Sequence, residues 1–417
     1  MKTDELQYGF KENRSTGLCS FTFYEICETF AQEKSNVYSL LLDATKAFDR
    51  VNYSKLFRIL FQRGMNVLFI RFLYCLYTNQ KLRVNWQNCL SDEFSVTNGV
   101  RQGGILSPIL FTLYLDTLLQ NLRKSGYGCY IGPHFTGVLA YADDIVLLSP
   151  STSGLNAMAK ICEDFSKNYD ITFNEAKSQY CVFRGDKTKG KTTFKFNGVE
   201  LQETDAVIHL GHKIYASNKS HNLDGIISSF YKQFNVFMAK FQDTASSIKA
   251  ELMHKYCSSF YGFLLLPLTS CLDKLQVTWR KALRRVWRIP SRTHCSILRG
   301  LHAGLCDKHM FISRFARFVA NAIDTGPPHV KYIFKKALKI PSTLLARNTW
   351  LSCNVLDVAV ENLKNSDIPH MSRAQCHREC KPLQTLTCSM ALNELYNARD
   401  KLTDLIHNEH EIKSYIF

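Results

Sequence analysis

The stretch "GVLAYADDIVLLS" (residues 137–149) restricts the possible folds more than any other part of the chain. Two short apolar runs flank adjacent carboxylates, Asp143 and Asp144, a pattern that reads as two buried strands joined by a tight turn. Charges held next to buried strands are costly unless something compensates them. The hairpin therefore calls for cations at its tip.

The neighbouring segments say what surrounds that tip. "NVYSLLLDATKAFD" (36–49) opens with an apolar run that ends in Asp43, and "YSKLFRILFQRG" (53–64) has helical periodicity closed by Gly64. "KLRVNW" and "EFSVTNG" alternate as a hairpin does, and "GVRQGGILSPILFTLYLDTLL" predicts a long helix with Ser107 as N-cap and Pro108 in its first turn. "LNAMAKICEDFSKNY" predicts an amphipathic helix and "QYCVF" a strand. The order β-α-β-β-α-β gives an α+β class, with the first strand beside the hairpin in a split βαβ, ferredoxin-like sheet. Asp43 then neighbours Asp143 and Asp144, and like charges so close would raise their pKa values unless cations intervene. Mg²⁺, with Mn²⁺ as a substitute, suits such oxygen ligands. A pair of ions about 4 Å apart activates an attacking hydroxyl and stabilises a leaving oxygen in phosphoryl transfer.

At 417 residues and 46% hydrophobic content the chain can bury a core and form two or three domains. The N-terminus has no secretory pattern, and the longest apolar run, "FYGFLLLPL", is too short to span a bilayer. The expectation is an intracellular protein that is not secreted and meets no membrane, with nucleus or cytoplasm and oligomeric state left open. The fifteen scattered cysteines read as reduced thiols rather than a disulfide framework. Cys376, His377, Cys380 and Cys388 cluster, but their spacing fits no zinc module. The net charge is +16, and residues 211–350 hold all of that excess, with 22 Lys and Arg against 6 Asp and Glu. Such a region faces phosphates or is a set of solvated basic helices. In "LQVTWRKALRRVWRI" (275–289), Trp279, Leu283 and Val286 share one helical side, with Lys281, Arg284, Arg285 and Arg288 around the others.

"LLLDATKAFDRV", "NGVRQGGILSPILF" and "AYADDIVLLS", in this order, resemble the successive palm motifs of reverse transcriptases, most closely those of LINE-type (non-LTR) retrotransposons. "LQYGFKENRST" (6–16) is similar to the segment preceding the palm, "NEAKSQYCVF" to the lysine motif after it, and "HLGHKI" (209–214) to the primer-grip hairpin. "LRRVWRIPSRTHCSILRGL" is similar, more weakly, to the segment beyond the thumb.

The resemblance implies a right hand: residual fingers at 1–36, palm at 37–215, a helical basic thumb at 216–290 and a helical region of unassigned role at 291–417. It implies Asp43 and Asp143 as metal ligands, the Ala44 carbonyl assisting, Asp144 beside them, and Phe48 as a steric gate against a ribose 2′-OH. It further implies Gln102 and Gly103 at the template, Arg101 near phosphate, and Lys177 as the acid that protonates departing pyrophosphate. Core packing for Phe48, a simple turn for Gly103 and surface positions for Arg101 and Lys177 are the plainer alternatives. The implied activity is RNA-directed DNA polymerisation from deoxynucleoside triphosphates on an RNA template with a DNA primer. Only 42 residues precede Asp43, so the expectation is an N-terminally truncated copy. The other readings are a relic that only binds nucleic acid, and a group II intron maturase or telomerase-like polymerase.

Overall fold

Burying both faces of the strand that ends at Asp43 organises the fold. The computed structural model describes residues 2–185, 190–217, 220–295, 297–298 and 307–356, with the backbone alone for 307–309 and 356. Cys376, His377, Cys380 and Cys388 lie outside the described residues. The chain divides into two compact units. The first takes in the residues up to 217 together with Pro327–Ile333, and the second runs from 220 to Gly326 and from Phe334 onward.

In the first unit, α1 (Thr16–Gln32) leads into β1 (Val37–Leu42) and the short β2 (Ala44–Thr45). Helices α2 (Tyr53–Gln62) and α3 (Val67–Thr78) follow, then a hairpin made of β3 (Lys81–Leu82), β4 (Asn85–Trp86), β5 (Cys89–Leu90) and β6 (Phe94–Ser95). After α4 (Ser107–Lys124) come β7 (Tyr130–Ile131), β8 (His134–Phe135), β9 (Val138–Tyr141) and β10 (Asp144–Ser149). Then come α5 (Thr152–Tyr169), β11 (Thr172–Phe173), β12 (Gln179–Phe183), and two hairpins, β13 (Thr193–Phe196) with β14 (Val199–Gln202) and β15 (Ala206–His209) with β16 (His212–Tyr215).

The central sheet has the order β12-β1-β10-β9, antiparallel throughout. That is the split βαβ arrangement expected from the sequence. β1 and β10 run almost wholly apolar because both their faces are covered: Leu40, Ile145 and Leu147 pack against α4 and α5 in a core with Leu115, Leu118, Met158 and Phe165. Against the other face lies α1, in which Leu18 to Thr29 are all buried.

One expectation is corrected. Ser107 is the first residue of α4 rather than its N-cap; its hydroxyl donates to the Arg101 carbonyl and ties the helix to the preceding loop. Within residues 1–36, Leu6 and Tyr8 pair with Ala140 as a further edge beside β9, and α1 covers the central sheet.

The second unit is helical: α6 (Leu223–Lys240), α7 (Ser246–Cys257) and α8 (Leu268–Trp287), followed by helices Asp307–Thr325 and Leu344–Leu356. Trp279, Leu283 and Val286 of α8 are buried, as the periodicity predicts. No break falls at residue 290, because the apolar side of α8 packs on the helices at 307–325 and 344–356 as well as on α6 and α7. Asn348 closes this arrangement from inside, accepting from Leu268 N–H and donating to the Leu266 carbonyl, each at 2.8 Å. Among the described residues no helix is long and apolar enough to cross a membrane, and the cysteines are free thiols, mostly buried.

Candidate active site

Register brings the acidic residues together. Leu42 of β1 faces Ile145 of β10, so Asp43, one residue beyond β1, lies at the same end of the sheet as the Ala142-Asp143 turn and Asp144. Desolvation, with Asp43 adding like charge, holds the Asp143 carboxyl above its ordinary range. Desolvation followed by the charges of Asp143 and Asp43 pushes Asp144 up to about 6.

The "NEAKS" turn supplies the facing cation. Asn174 N–H donates to the Asp43 carbonyl at 2.8 Å, Phe173 pairs with Ala44, and Lys177 Nζ comes to 3.7 Å from Asp43 Oδ2. Lys177 is 68% exposed and Asp43 39%, so this ion pair is weak and exchangeable. Among the described residues no group of three His, Cys, Asp or Glu converges closely enough to hold a metal unaided. Asp43, Asp143 and Asp144 do not by themselves form a complete set of ligands. Such a donor set fits Mg²⁺, which takes one or two carboxylates and fills its remaining positions with water and phosphate oxygens.

The "RQGG" loop borders the same end. Gly99 N–H donates to the Val51 carbonyl and Val100 N–H to that of Phe48, both at 2.8 Å, which lays the loop against the segment following Asp43. Gly99 has φ +89°, and a Cβ there would come within 2.7 Å of the Asp49 carbonyl oxygen, so only glycine fits. Gln102 donates to Asp49 Oδ1 at 3.3 Å, Arg101 is exposed, and Gly103 has φ +81° with open space around it. Phe48 is half-buried. Its ring stacks on Phe111 at 4.4 Å while Phe10 meets it edge-on at 6.1 Å. The ring thus serves the core while part of it stays exposed.

Sequence reasoning missed Gln7, Phe10, Asp49 and Asn174. Their signals were present in "LQYGF", "AFD" and "NEAKS", but no periodicity or charge pattern relates them to the aspartates.

The second unit treats its four basic candidates differently. Lys281, Arg285 and Arg288 are exposed; Arg285 also lies over the Phe234 ring at 5.0 Å and donates to Asn235 Oδ1 at 3.1 Å. Arg284 is turned to a loop, donating to the Thr293 carbonyl through Nε at 3.1 Å and Nη2 at 2.8 Å.

Residues 1–201 match the family model described as "Reverse transcriptase (RNA-dependent DNA polymerase)". Over that segment the chain is similar to reverse transcriptase domains, including those of R2 retrotransposable elements. Over 190 residues the chain is 33% identical to the Retrovirus-related Pol polyprotein from type-2 retrotransposable element R2DM of Drosophila melanogaster, which covers 44% of this chain and 18% of that protein. Over 121 residues it is 32% identical to the Pol polyprotein from the type-1 retrotransposable element R2 of Nasonia vitripennis, covering 29% of this chain and 12% of the relative. The chain therefore spans less than a fifth of these relatives. Among solved structures, telomerase from Candida albicans is 14% identical with a TM-score of 0.38, covering 85% of this chain and 55% of that one. Reverse transcriptase domains generally use divalent metals.

Proposed function

We propose that the chain is an RNA-directed DNA polymerase of a retrotransposon, joining deoxynucleotides to a primer 3′-OH with two Mg²⁺ ions. The observation that carries the reading is the like-charged end of the sheet, where Leu42 pairs with Ile145, Asp43 adds like charge to Asp143, and Asp144 is pushed up to about 6. A fold keeps such a group when a bound cation supplies the missing charge. Bound Mg²⁺ would supply charge that lowers the pKa of the primer hydroxyl and stabilises the leaving pyrophosphate. Asp43 and Asp143 are the proposed ligands, with the Ala44 carbonyl and Asp144 assisting.

The remaining steps belong to side chains of the chain itself. Lys177, exposed and 3.7 Å from Asp43, can leave that carboxylate for an arriving phosphate and deliver a proton to the departing pyrophosphate. Phe48, fixed from behind by Phe111, would exclude a 2′-OH and select deoxynucleotides. Arg101, Gln102 and Gly103 would border the template strand, Gly103 because an open left-handed position lets a nucleic-acid backbone pass close. Lys281, Arg285 and Arg288 would meet phosphates of the RNA template and DNA primer duplex. On this reading the sheet unit corresponds to the palm and the helical unit to the thumb.

Single-nucleotide extension of a DNA primer on an RNA template with Mg²⁺ tests the reading. Extension is expected from the wild-type chain and none from Asp43→Asn or Asp143→Asn, with duplex binding kept within a few-fold. Extension by either variant, or none by the wild type, overturns it.

A further inference from the structure

Gln7 is fully buried at the edge of the sheet, a place where an amide must be satisfied. Its side chain spends both ends on one residue. Oε1 accepts from Ala142 N–H at 2.9 Å and Nε2 donates to the Ala142 carbonyl at 3.2 Å. Oε1 also accepts from Gly9 N–H at 2.8 Å, and the main chain on either side, Leu6 and Tyr8, is pinned to Ala140.

The residue so gripped is in an unusual state. Ala142 has φ +56° in the first of the two turn positions between β9 and β10, where a hairpin turn ordinarily takes glycine. A left-handed alanine persists only when its surroundings impose it. Gly9 belongs to the same device, since a Cβ there would lie 2.4 Å from Ala142 N. Asp143 is the next residue, so the direction of its carboxylate is set by the peptide that Gln7 holds.

We infer that Gln7 is a positioning residue for Asp143, fixing the Ala142-Asp143 turn so that the carboxylate faces Asp43 at the metal end of the sheet. The inference deepens the polymerase reading and rests on it for the identity of the site. It assigns the "LQYGF" segment a task in the chemistry of the domain rather than in its edge alone.

The test uses the full chain and Gln7→Leu, which keeps the side chain's approximate size and removes both hydrogen-bonding ends. In the metal-free proteins, hydrogen exchange at Ala142 to Ile145 should quicken about tenfold or more in the variant, with exchange in β1 and β12 little changed. The Mn²⁺ concentration that half-saturates the site should rise about tenfold, as expected for a lost supporting hydrogen bond at a metal ligand. Primer extension should fall but recover in part at high Mg²⁺, whereas Gln7→Glu, which keeps the acceptor, should fall between the two. A folded Gln7→Leu with unchanged exchange at the turn, or with an unchanged Mn²⁺ midpoint, overturns the inference. A wild-type chain that takes up Mn²⁺ and extends no primer refutes the polymerase reading alone. One that takes up no Mn²⁺ refutes both.

Discussion

Replacing Asp144 by asparagine should stabilise the metal-free protein at neutral pH while harming its chemistry. Asp144 lies at the start of β10, and its carboxyl is raised from 3.8 to about 6 by burial and by the charges of Asp143 and Asp43. At about 1.4 kcal/mol per pH unit, keeping it ionised in the fold at pH 7 costs about 3 kcal/mol. Part of its surface remains in solvent, which reduces the figure to about 1–2 kcal/mol. The sign follows from linkage: the folded state favours the protonated acid, so the penalty is absent below 3.8, develops between 3.8 and about 6, and is constant above. Asparagine cannot ionise and escapes it. Thermal melting of the two proteins without metal should therefore give Asp144→Asn a Tm higher by about 2–8 °C at pH 7 and an equal Tm near pH 3.5. Mg²⁺ should raise the wild-type Tm by binding the native state and narrow the gap. A variant less stable than wild type at pH 7, or a difference independent of pH, would refute the reasoning, because it would mean that Asp144 is satisfied as an anion.

Divalent-cation affinity should rise with pH through about 6 and level off above, since protons compete for the raised carboxylates; isothermal titration with Mn²⁺ from pH 5 to 8 reads this, and a flat profile counts against the carboxylate site. Phe48→Ala should increase ribonucleotide incorporation about tenfold or more and destabilise the domain by about 1–3 kcal/mol through removal of the stack on Phe111; reduced stability with unchanged sugar choice would make Phe48 a core residue only. If Phe48 is the proposed gate, Phe10→Ala should shift the same selectivity in the same direction but less, since Phe10 only meets Phe48 edge-on, and it should melt within about 1 kcal/mol of wild type because its ring is largely exposed. Converting Lys281, Arg285 and Arg288 together to Gln should lower the slope of log affinity for duplex against log salt by about one for each phosphate no longer neutralised. Arg284→Gln should instead lower the melting temperature, because it releases the Thr293 carbonyl, and leave the salt slope unchanged.

Local and periodic features were legible in the amino-acid order alone. Alternation and apolar runs specified β1, β9, β10, β12, α4 and α5, and their order left few sheet topologies open, so Asp43 could be placed beside Asp143 and Asp144 from the chain itself. The charge bias of residues 211–350 likewise required only counting. Tertiary structure settled the rest, because it concerned partners distant in the chain. Gln7 lies 135 residues from Ala142, and nothing in the composition of "LQYGF" says that an amide will hold a left-handed alanine. Ser107 looked like a helix cap because serine before proline usually is one, yet the Arg101 carbonyl claimed its hydroxyl. Arg284 looked as free as its neighbours on α8, and only the return of the chain at Thr293 gave it a carbonyl to bind. Periodicity records which face of an element is buried; which backbone group a polar side chain will find depends on how the elements are brought together, and that is fixed only when the whole core packs.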